Sequence, residues 1–417
     1  MAETGGRILV AGAGIVGISC AIWLQRAGYA VTVVDREGPA AGASEGNAGL
    51  LAAAAVVPVT VPGLARKAPR MLLDPESPLF LRWTALPRLA PFLLRYLKHG
   101  TDGHVAHASA ALATLLHDTV AQHRALAEDT PAAAYIHDAD YCVGYARAAD
   151  FDADAYAWRV RARAGMRYEV MTGAAYARID PVWGDTFETV VRCPGHGRIS
   201  DPGAYVRALA QQFEDRGGTL LRADLRDVER TAEGDVTALV TSEGRLAADR
   251  IVLALGAWSG PLAARLGLHV PMESERGYHL EFWDPSEMPL NPMMVAAGKF
   301  VLTPMEGRLR AAGVVEYGGL RAGPSPAPLA LLRRQVRRAL PGLTATRETT
   351  WMGHRPVTAD SLPLIGPAAA DGAYCAFGHQ HVGLTAGPKT GRLIADMVRG
   401  AAPNLDLAPF APDRFAR

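Results

Sequence analysis

The chain has 417 residues, 49% of them hydrophobic and 20% charged, a composition that fits a globular protein of two or three domains and excludes a disordered or fibrous one. Lys and Arg number 43 against 42 Asp and Glu, a net charge of +1, so no charge excess points to nucleic acid. Cys20, Cys142, Cys193 and Cys375 are scattered, with neither a CxxC pair nor a zinc-ligand spacing, which argues against a disulfide framework or a structural metal. An apolar run at Ile8 to Val10 comes almost at once, without the pattern of a signal peptide, so the expected location is cytoplasmic. The longest apolar stretch, residues 48–57, meets Pro58 well short of the roughly 20 residues of a membrane span.

The first forty residues read as strand, turn, helix, strand. Ile8 to Val10 is followed by AGAGIVG, then by near-helical apolar spacing from Ile15 to Ala27, which Gly28 ends. A second apolar run, Ala30 to Val34, ends in Asp35. This is the fingerprint of a dinucleotide-binding βαβ unit, with its acid about 20 residues beyond the glycines. Gly12 permits the tight turn, Gly14 admits a pyrophosphate close to the backbone, and Gly17 lets the helix, with Ile15 and Val16 in its first turn, pack on the strand. The phosphates then meet free N–H groups and the positive end of the helix dipole, and Asp35 can accept from ribose hydroxyls. These residues alone do not separate FAD from NAD.

Arg36 and the loop GPAAGASEGNAGLL follow, with small residues that expose backbone N–H groups to a ligand. The segment Ala43, Ser44, Asn47, Ala48, Gly49 and Leu50 resembles the ASxxNAG loop of the flavoprotein family that holds D-amino-acid oxidase, glycine oxidase and the D-amino-acid dehydrogenases. In that family the loop runs along the FAD pyrophosphate and under the flavin. Farther on, residues 217–260 read as short strands with turns at Gly217-Gly218, Glu233 to Asp235 and Glu243-Gly244. They end in the apolar strand Ile251 to Leu255 and a Gly256-Ala-Trp258 turn. The resemblance implies that Leu225 offers backbone bonds to adenine and that Gly256 and Trp258 lie near the FAD; a strand end with a core Trp258 is the alternative.

Two closing motifs carry the likeness furthest. WMGHRPVTADSLPLIGP, and YCAFGHQHVGLTAGPKTGRLIADMVRG after it, resemble the RPxTxDxxPxIG and GHxxxGxT pair of the D-amino-acid dehydrogenases. They implicate His379, Gly383, Leu384 and Thr385 at the cofactor. Helical spacing of Leu393, Ile394, Met397 and Val398 predicts a last helix starting between Gly383 and Pro388, with Pro388 in its first turn. If that N-terminus faces the flavin, its dipole stabilises the reduced, anionic ring. No histidine lies between Asp35 and Leu51 and no cysteine within 351–366, where some relatives attach flavin, so the expected FAD is non-covalent.

The implied fold is α/β, a Rossmann-type FAD-binding domain (1–56, 196–268 and 352–417) interleaved with a β-sheet-rich α+β substrate domain (57–195 and 269–351). In ERGYHLEF, alternation puts Tyr278, Leu280 and Phe282 on one strand face and Gly277, His279 and Glu281 on the other. Either Tyr278 or His279 can face the flavin, and packing accounts for each equally well. Arg355, the arginine of RPxT, is the expected seat for a substrate carboxylate, since a guanidinium can hold it bidentate and present Cα–H to flavin N5; the alternative is a domain-interface ion pair. His354, His379 and His381 are weaker candidates, His381 among them as a catalytic residue.

The expected reaction is hydride transfer from the Cα of a small-molecule amino acid, then hydrolysis to a 2-oxo acid and ammonia, or to a cyclic imine from a proline derivative. Of the four lysines, Lys67, Lys98, Lys299 and Lys389, none aligns with the lysine that some amine oxidases place over the flavin; Arg310 aligns there instead. A dehydrogenase passing electrons to a quinone or another carrier is therefore expected. A glycine- or sarcosine-type oxidase making hydrogen peroxide, a D-proline or hydroxyproline dehydrogenase, and a non-catalytic flavin-binding electron-transfer subunit are the rivals. RWTALPRLAPFLLRYLKHG, a basic amphipathic segment interrupted by Pro87 and Pro91, reads as a domain helix with a solvated basic face or as a peripheral contact with the inner face of the membrane. No motif specifies an oligomeric state.

Overall fold

A computed structural model describes residues 5–416. The apolar run at the start forms a strand, Gly5–Ala11, paired in parallel with Tyr29–Asp35 on one side and Arg250–Leu253 on the other. These are the middle of a six-stranded sheet that Thr219–Arg222 closes at one edge and Ala373–Phe377 and Leu364–Pro367 at the other. Every neighbouring pair is parallel except the last two strands. Parallel strands are covered on both faces, which is why they read as unbroken apolar runs. On one face the helix Ile15–Arg26 lies between sheet and closing helix, and Ile15, Ile18, Ile22 and Leu24 are all buried. On the other, a three-stranded antiparallel sheet of Leu225–Arg230, Val236–Thr241 and Gly244–Ala247 packs over Leu9, Ile251 and Leu253.

A second, ten-stranded mixed sheet holds the substrate side. Its long strand Met272–Trp283 pairs antiparallel with Arg347–Thr358 on one side and Arg308–Tyr317 on the other. Opposite Gly277 and Tyr278 the last of these carries an extra residue, Val314, with φ +56°, a β-bulge that bends the strand beside the site. The helix Pro326–Ala339 covers the far face through Leu332 and Val336.

Three local details refine the sequence reading. The helices Asp102–Leu116 and Thr119–Leu126 fall in the stretch read as substrate domain, yet Leu112, Leu115 and Leu126 pack into the core around the first helix. The segment 86–98 is one helix in spite of its prolines: Pro87 sits in the first turn, and the Pro87 carbonyl that Pro91 leaves open is on the exposed face, where water can bond it. The last helix runs Gly383–Val398, but Pro388 lies in its second turn, not its first. The Leu384 carbonyl that Pro388 cannot bond lies 2.9 Å from His123 Nε2, and Thr119 donates to the next carbonyl, Thr385, at 2.8 Å. A buried donor from another helix thus makes the interior proline tolerable.

Candidate functional site

The C-terminal ends of the parallel strands open into a cleft of about 580 Å³, the place where ligands bind in such sheets. Gly12, Gly14, Ile15 and Val16 line it. Gly12 has φ +109°, and a Cβ there would stand 2.5 Å from the Ala254 carbonyl oxygen; one on Gly17, just behind the wall, would stand 1.9 Å from that of Gly12. No side chain fits at either place, so the helix start rests directly on the turn. Asp35, expected to face a ribose, is committed to backbone on both carboxylate oxygens. One carboxylate oxygen accepts from the Ala13 N–H and the other from those of Glu37 and Gly38, each at 2.9 Å, so it fastens the turn to the following loop. Ser44 accepts the Ile15 N–H at 2.9 Å, which leaves the N–H groups of Val16 and Gly17 as the open end of the helix.

Ala43, Ser44 and Asn47 continue the wall. Gly49 and Leu50 turn away from it, Gly49 donating to Asn47 Oδ1 at 2.8 Å and Leu50 pairing with Arg198, while Ala48 lies at the edge with an N–H that has no acceptor among the described residues. Leu225, Gly256 and Trp258 line the side opposite the first helix, with Arg36 stacked over the Trp258 indole at 4.8 Å and His354 edge-on to it at 5.2 Å. Burial, with Arg276 and Arg36 nearby, pushes the His354 pKa down to about 4. His379, Gly383 and Leu384 close the far end. His379 is fully enclosed with its pKa near 3, Nε2 against the Thr390 hydroxyl; Thr385 bonds the Leu50 carbonyl instead of facing the cleft.

Register sorts the remaining candidates. Glu275 faces Arg355 and His279 faces Trp351 on one side of the sheet; Arg276 faces His354 and Tyr278 faces Met352 on the other. Tyr278 donates to Glu316 Oε2 at 2.6 Å inside a buried cluster with Arg276, away from the cofactor loop. His279 lies behind the wall, stacked on Trp351 at 5.2 Å. Arg355 is not itself among the residues that line the cleft, although its strand neighbours His354 and Pro356 are; its guanidinium lies over Gly277, where a Cβ would come within 2.4 Å of Nη2. Nη1 donates to Glu275 Oε1 at 3.0 Å, and Nε and Nη2 have no acceptor among the described residues. His381 is exposed in the turn before the last helix, yet stands among enough protein, and near enough to Arg355, that its pKa falls to about 4.

Trp351, Met352, Gly353, Leu320 and Gln380 also line the cleft and escaped the sequence reading. Trp351 and Gly353 directly precede RPxT, which was the available signal: the indole lies where a Cβ on Gly46 or Gly353 would fall, about 2 Å away in each case. Leu320, in a glycine-rich loop, carried none.

The cleft fits an FAD. It offers a side-chain-free cradle at Gly12 and Gly14, an acid at the end of the second strand, and a run of N–H groups, Gly42 to Ser44 and Gly46 to Ala48, without an acceptor among the described residues. Comparison with known proteins agrees. Residues 7–397 match the family described as FAD dependent oxidoreductase (DAO). A D-amino-acid oxidase of Bradyrhizobium diazoefficiens is 38% identical, the alignment covering 99% of each chain. A D-amino acid dehydrogenase of Sinorhizobium medicae is 31% identical over 98% of this chain and 100% of its own. The crystal structure of glycine oxidase from Geobacillus kaustophilus superposes with a TM-score of 0.74 at 21% identity, covering 98% and 99%.

Proposed function

Since the chain belongs to the FAD dependent oxidoreductase family, we propose that it oxidises the Cα–N bond of a D-amino acid, the substrate carboxylate seated on Arg355. Bound without a covalent link, FAD supplies the two-electron acceptor that takes hydride from Cα. The observation that carries the reading is the half-committed Arg355. Glu275 fixes one guanidinium nitrogen and Gly277 leaves room beneath it, so an incoming carboxylate meets an oriented cation with free donors. Glu275 is itself buried and ionically paired, which holds the guanidinium against drift when the seat is empty. His354, neutral near pH 7, adds no competing positive charge. The imino acid leaves as a 2-oxo acid and ammonia after hydrolysis. The names of the two relatives support the D-amino acid as substrate.

Electrons pass to a quinone or another carrier. Supporting this, Lys67, Lys98 and Lys299 are exposed and Lys389 is buried against Asp118 at 2.9 Å, while Arg310 is committed to neighbouring groups. The 38% identical relative, named an oxidase, favours direct reaction with oxygen as the second reading. Anaerobic bleaching of the flavin band by D- but not L-amino acids tests the substrate, and an oxygen electrode separates the acceptors. No bleaching by any amino acid would end the proposal.

No helix among the described residues is long and apolar enough to cross a membrane. The proposed location is cytoplasmic, with peripheral contact to an anionic inner membrane face through residues 59–98. The helix Leu64–Leu73 buries none of its residues and carries Arg66, Lys67 and Arg70. Beside Trp83, the helix Leu86–Lys98 exposes Leu94 among Arg88, Arg95 and Lys98. Co-sedimentation with phosphatidylglycerol vesicles, lost in Leu73→Glu/Leu94→Glu, checks it; a protein that stays in the supernatant overturns it.

A further inference from the structure

The loop at Gly46 shows an arrangement that neither its small residues nor its likeness to a family accounts for. Three successive carbonyls, those of Glu45, Gly46 and Asn47, are all directed at the substrate sheet. Arg310 Nη1 donates to Glu45 at 3.2 Å and also to Asn47, and His279 Nδ1 lies 3.2 Å from the Gly46 oxygen. A carbonyl only accepts, and burial with Arg310 alongside lowers the His279 pKa to about 4. The ring is therefore neutral and carries its proton on Nδ1. In a trans peptide the N–H points opposite to the C=O. The N–H groups of Gly46, Asn47 and Ala48 consequently point away from the sheet, and none has an acceptor among the described residues.

Arg310 is in turn immobilised. It is 2% exposed, and Glu281, its partner across the strands, accepts from its Nε at 3.0 Å and its Nη2 at 2.7 Å. The same Glu281 oxygen accepts from Arg308 at 2.6 Å, and Arg308 reaches Asp201 at 2.9 Å. Two arginines and two carboxylates balance, so the cluster can be buried without a free charge, and it leaves Arg310 one nitrogen for the loop.

We propose that Arg310 and His279 are positioning residues for the cofactor: by holding the carbonyls of Glu45, Gly46 and Asn47 they turn three consecutive N–H groups of the loop towards the bound FAD. The substrate sheet thereby completes a cradle whose glycines belong to the nucleotide domain. The inference rests on FAD binding and not on the choice of substrate.

The test is the dissociation constant of FAD from the deflavinated protein, followed by quenching of FAD fluorescence, with the melting temperature of the apoprotein as control. Arg310→Gln is expected to weaken FAD binding 10- to 100-fold. Arg310→Lys should recover part of the loss, because one ammonium can reach one carbonyl but cannot span two. His279→Phe keeps a ring against Trp351 and removes only the donor, and should weaken binding several-fold. In Arg310→Ala, millimolar guanidinium ion should restore affinity. Wild-type affinity in both Arg310→Gln and His279→Phe would overturn the proposal. So would a lower apoprotein melting temperature in Arg310→Gln accompanied by no rescue of Arg310→Ala with guanidinium, since that marks a merely structural role. If FAD binding responds as expected while no amino acid bleaches the flavin, the substrate reading fails and this one stands.

Discussion

The two walls of the cleft are built on opposite plans. On the nucleotide side the working groups are backbone: Gly12, Gly14 and Gly17 within six residues, N–H groups left open, and carbonyls packed where a methyl group would collide. On the substrate side they are buried or half-buried charges brought from distant points of the chain: Glu275 with the half-buried Arg355, Glu281 with Arg310 and Arg308, Arg276 with Glu316. The first plan fails when a side chain is added. The second fails when a charge loses its partner, because a lone buried ion keeps its desolvation cost and has no attraction to offset it.

This contrast can be broken most sharply at Gly17. Gly17→Val puts carbon on the Gly12 carbonyl, and FAD binding is expected to fall below detection in a fluorescence titration while the far-ultraviolet circular dichroism stays near normal; ordinary uptake would refute a backbone cradle. Next in size is Arg355→Ala. Truncating the cation of a hydrogen-bonded charge pair that substrate closes off from water costs about 2–5 kcal/mol, or roughly 30- to 5,000-fold in kcat/KM with a D-amino acid, while FAD affinity stays within about twofold. Equal loss of FAD affinity would mean that the two walls are not separable.

The buried histidines set the response to acid. His123, His279 and His379 are neutral in the folded protein, their pKa values lowered to between about 3 and 4 chiefly by burial. Unfolded, each takes up a proton near pH 6.5, so the stability they confer is complete above that pH and is lost as the pH falls towards 4, on the order of 3 kcal/mol for a fully buried ring. Glu281 behaves differently. Although burial opposes ionisation, Arg310 and Arg308 hold its pKa near 2, so its contribution persists until the pH drops below about 4. Melting temperatures measured from pH 7 to 3 should therefore fall first between 6.5 and 4; a flat profile there would contradict the neutral histidines.

His123→Ala isolates one of them. It strands the Leu384 carbonyl at Pro388 and the Tyr205 hydroxyl, and should cost about 1–3 kcal/mol by thermal or denaturant unfolding, with part of the acid sensitivity removed. The smallest effect is expected from Arg207→Ala, whose ion pair with Glu45 braces the same loop from the solvent side. An exposed pair contributes at most about 1 kcal/mol, so FAD affinity should change no more than a few-fold; a loss as large as that of Arg310→Gln would dissolve the distinction between exposed and buried bracing.

Legibility in the sequence followed the same division. The glycine turn, Asp35, the Ala43 to Asn47 loop and the closing helix could be placed because their physics is local, a turn and a helix start within a few residues of each other. Alternation correctly separated the face of Tyr278 from that of His279, but could not say which one meets the cofactor loop. Trp351, which roofs Gly46 from 305 residues away, and Leu320, which reaches the wall from a loop without periodicity, had no pattern to announce them. Helical spacing places Pro388 in a first turn because its compensating donor, His123, stands more than 250 residues earlier and leaves no local trace.

By itself the amino-acid order determined the nucleotide unit and the α/β class, since glycine spacing, apolar periodicity and a terminal acid act over one turn or one strand. Tertiary structure alone decided the pairing of charges: that Arg355 leans on Glu275, that Arg310 is spent on Glu281 and two carbonyls, and that His279 is a donor to backbone. A charge interacts with whatever the register of the sheet sets opposite it, and register is fixed only when the whole apolar face of a strand finds its core.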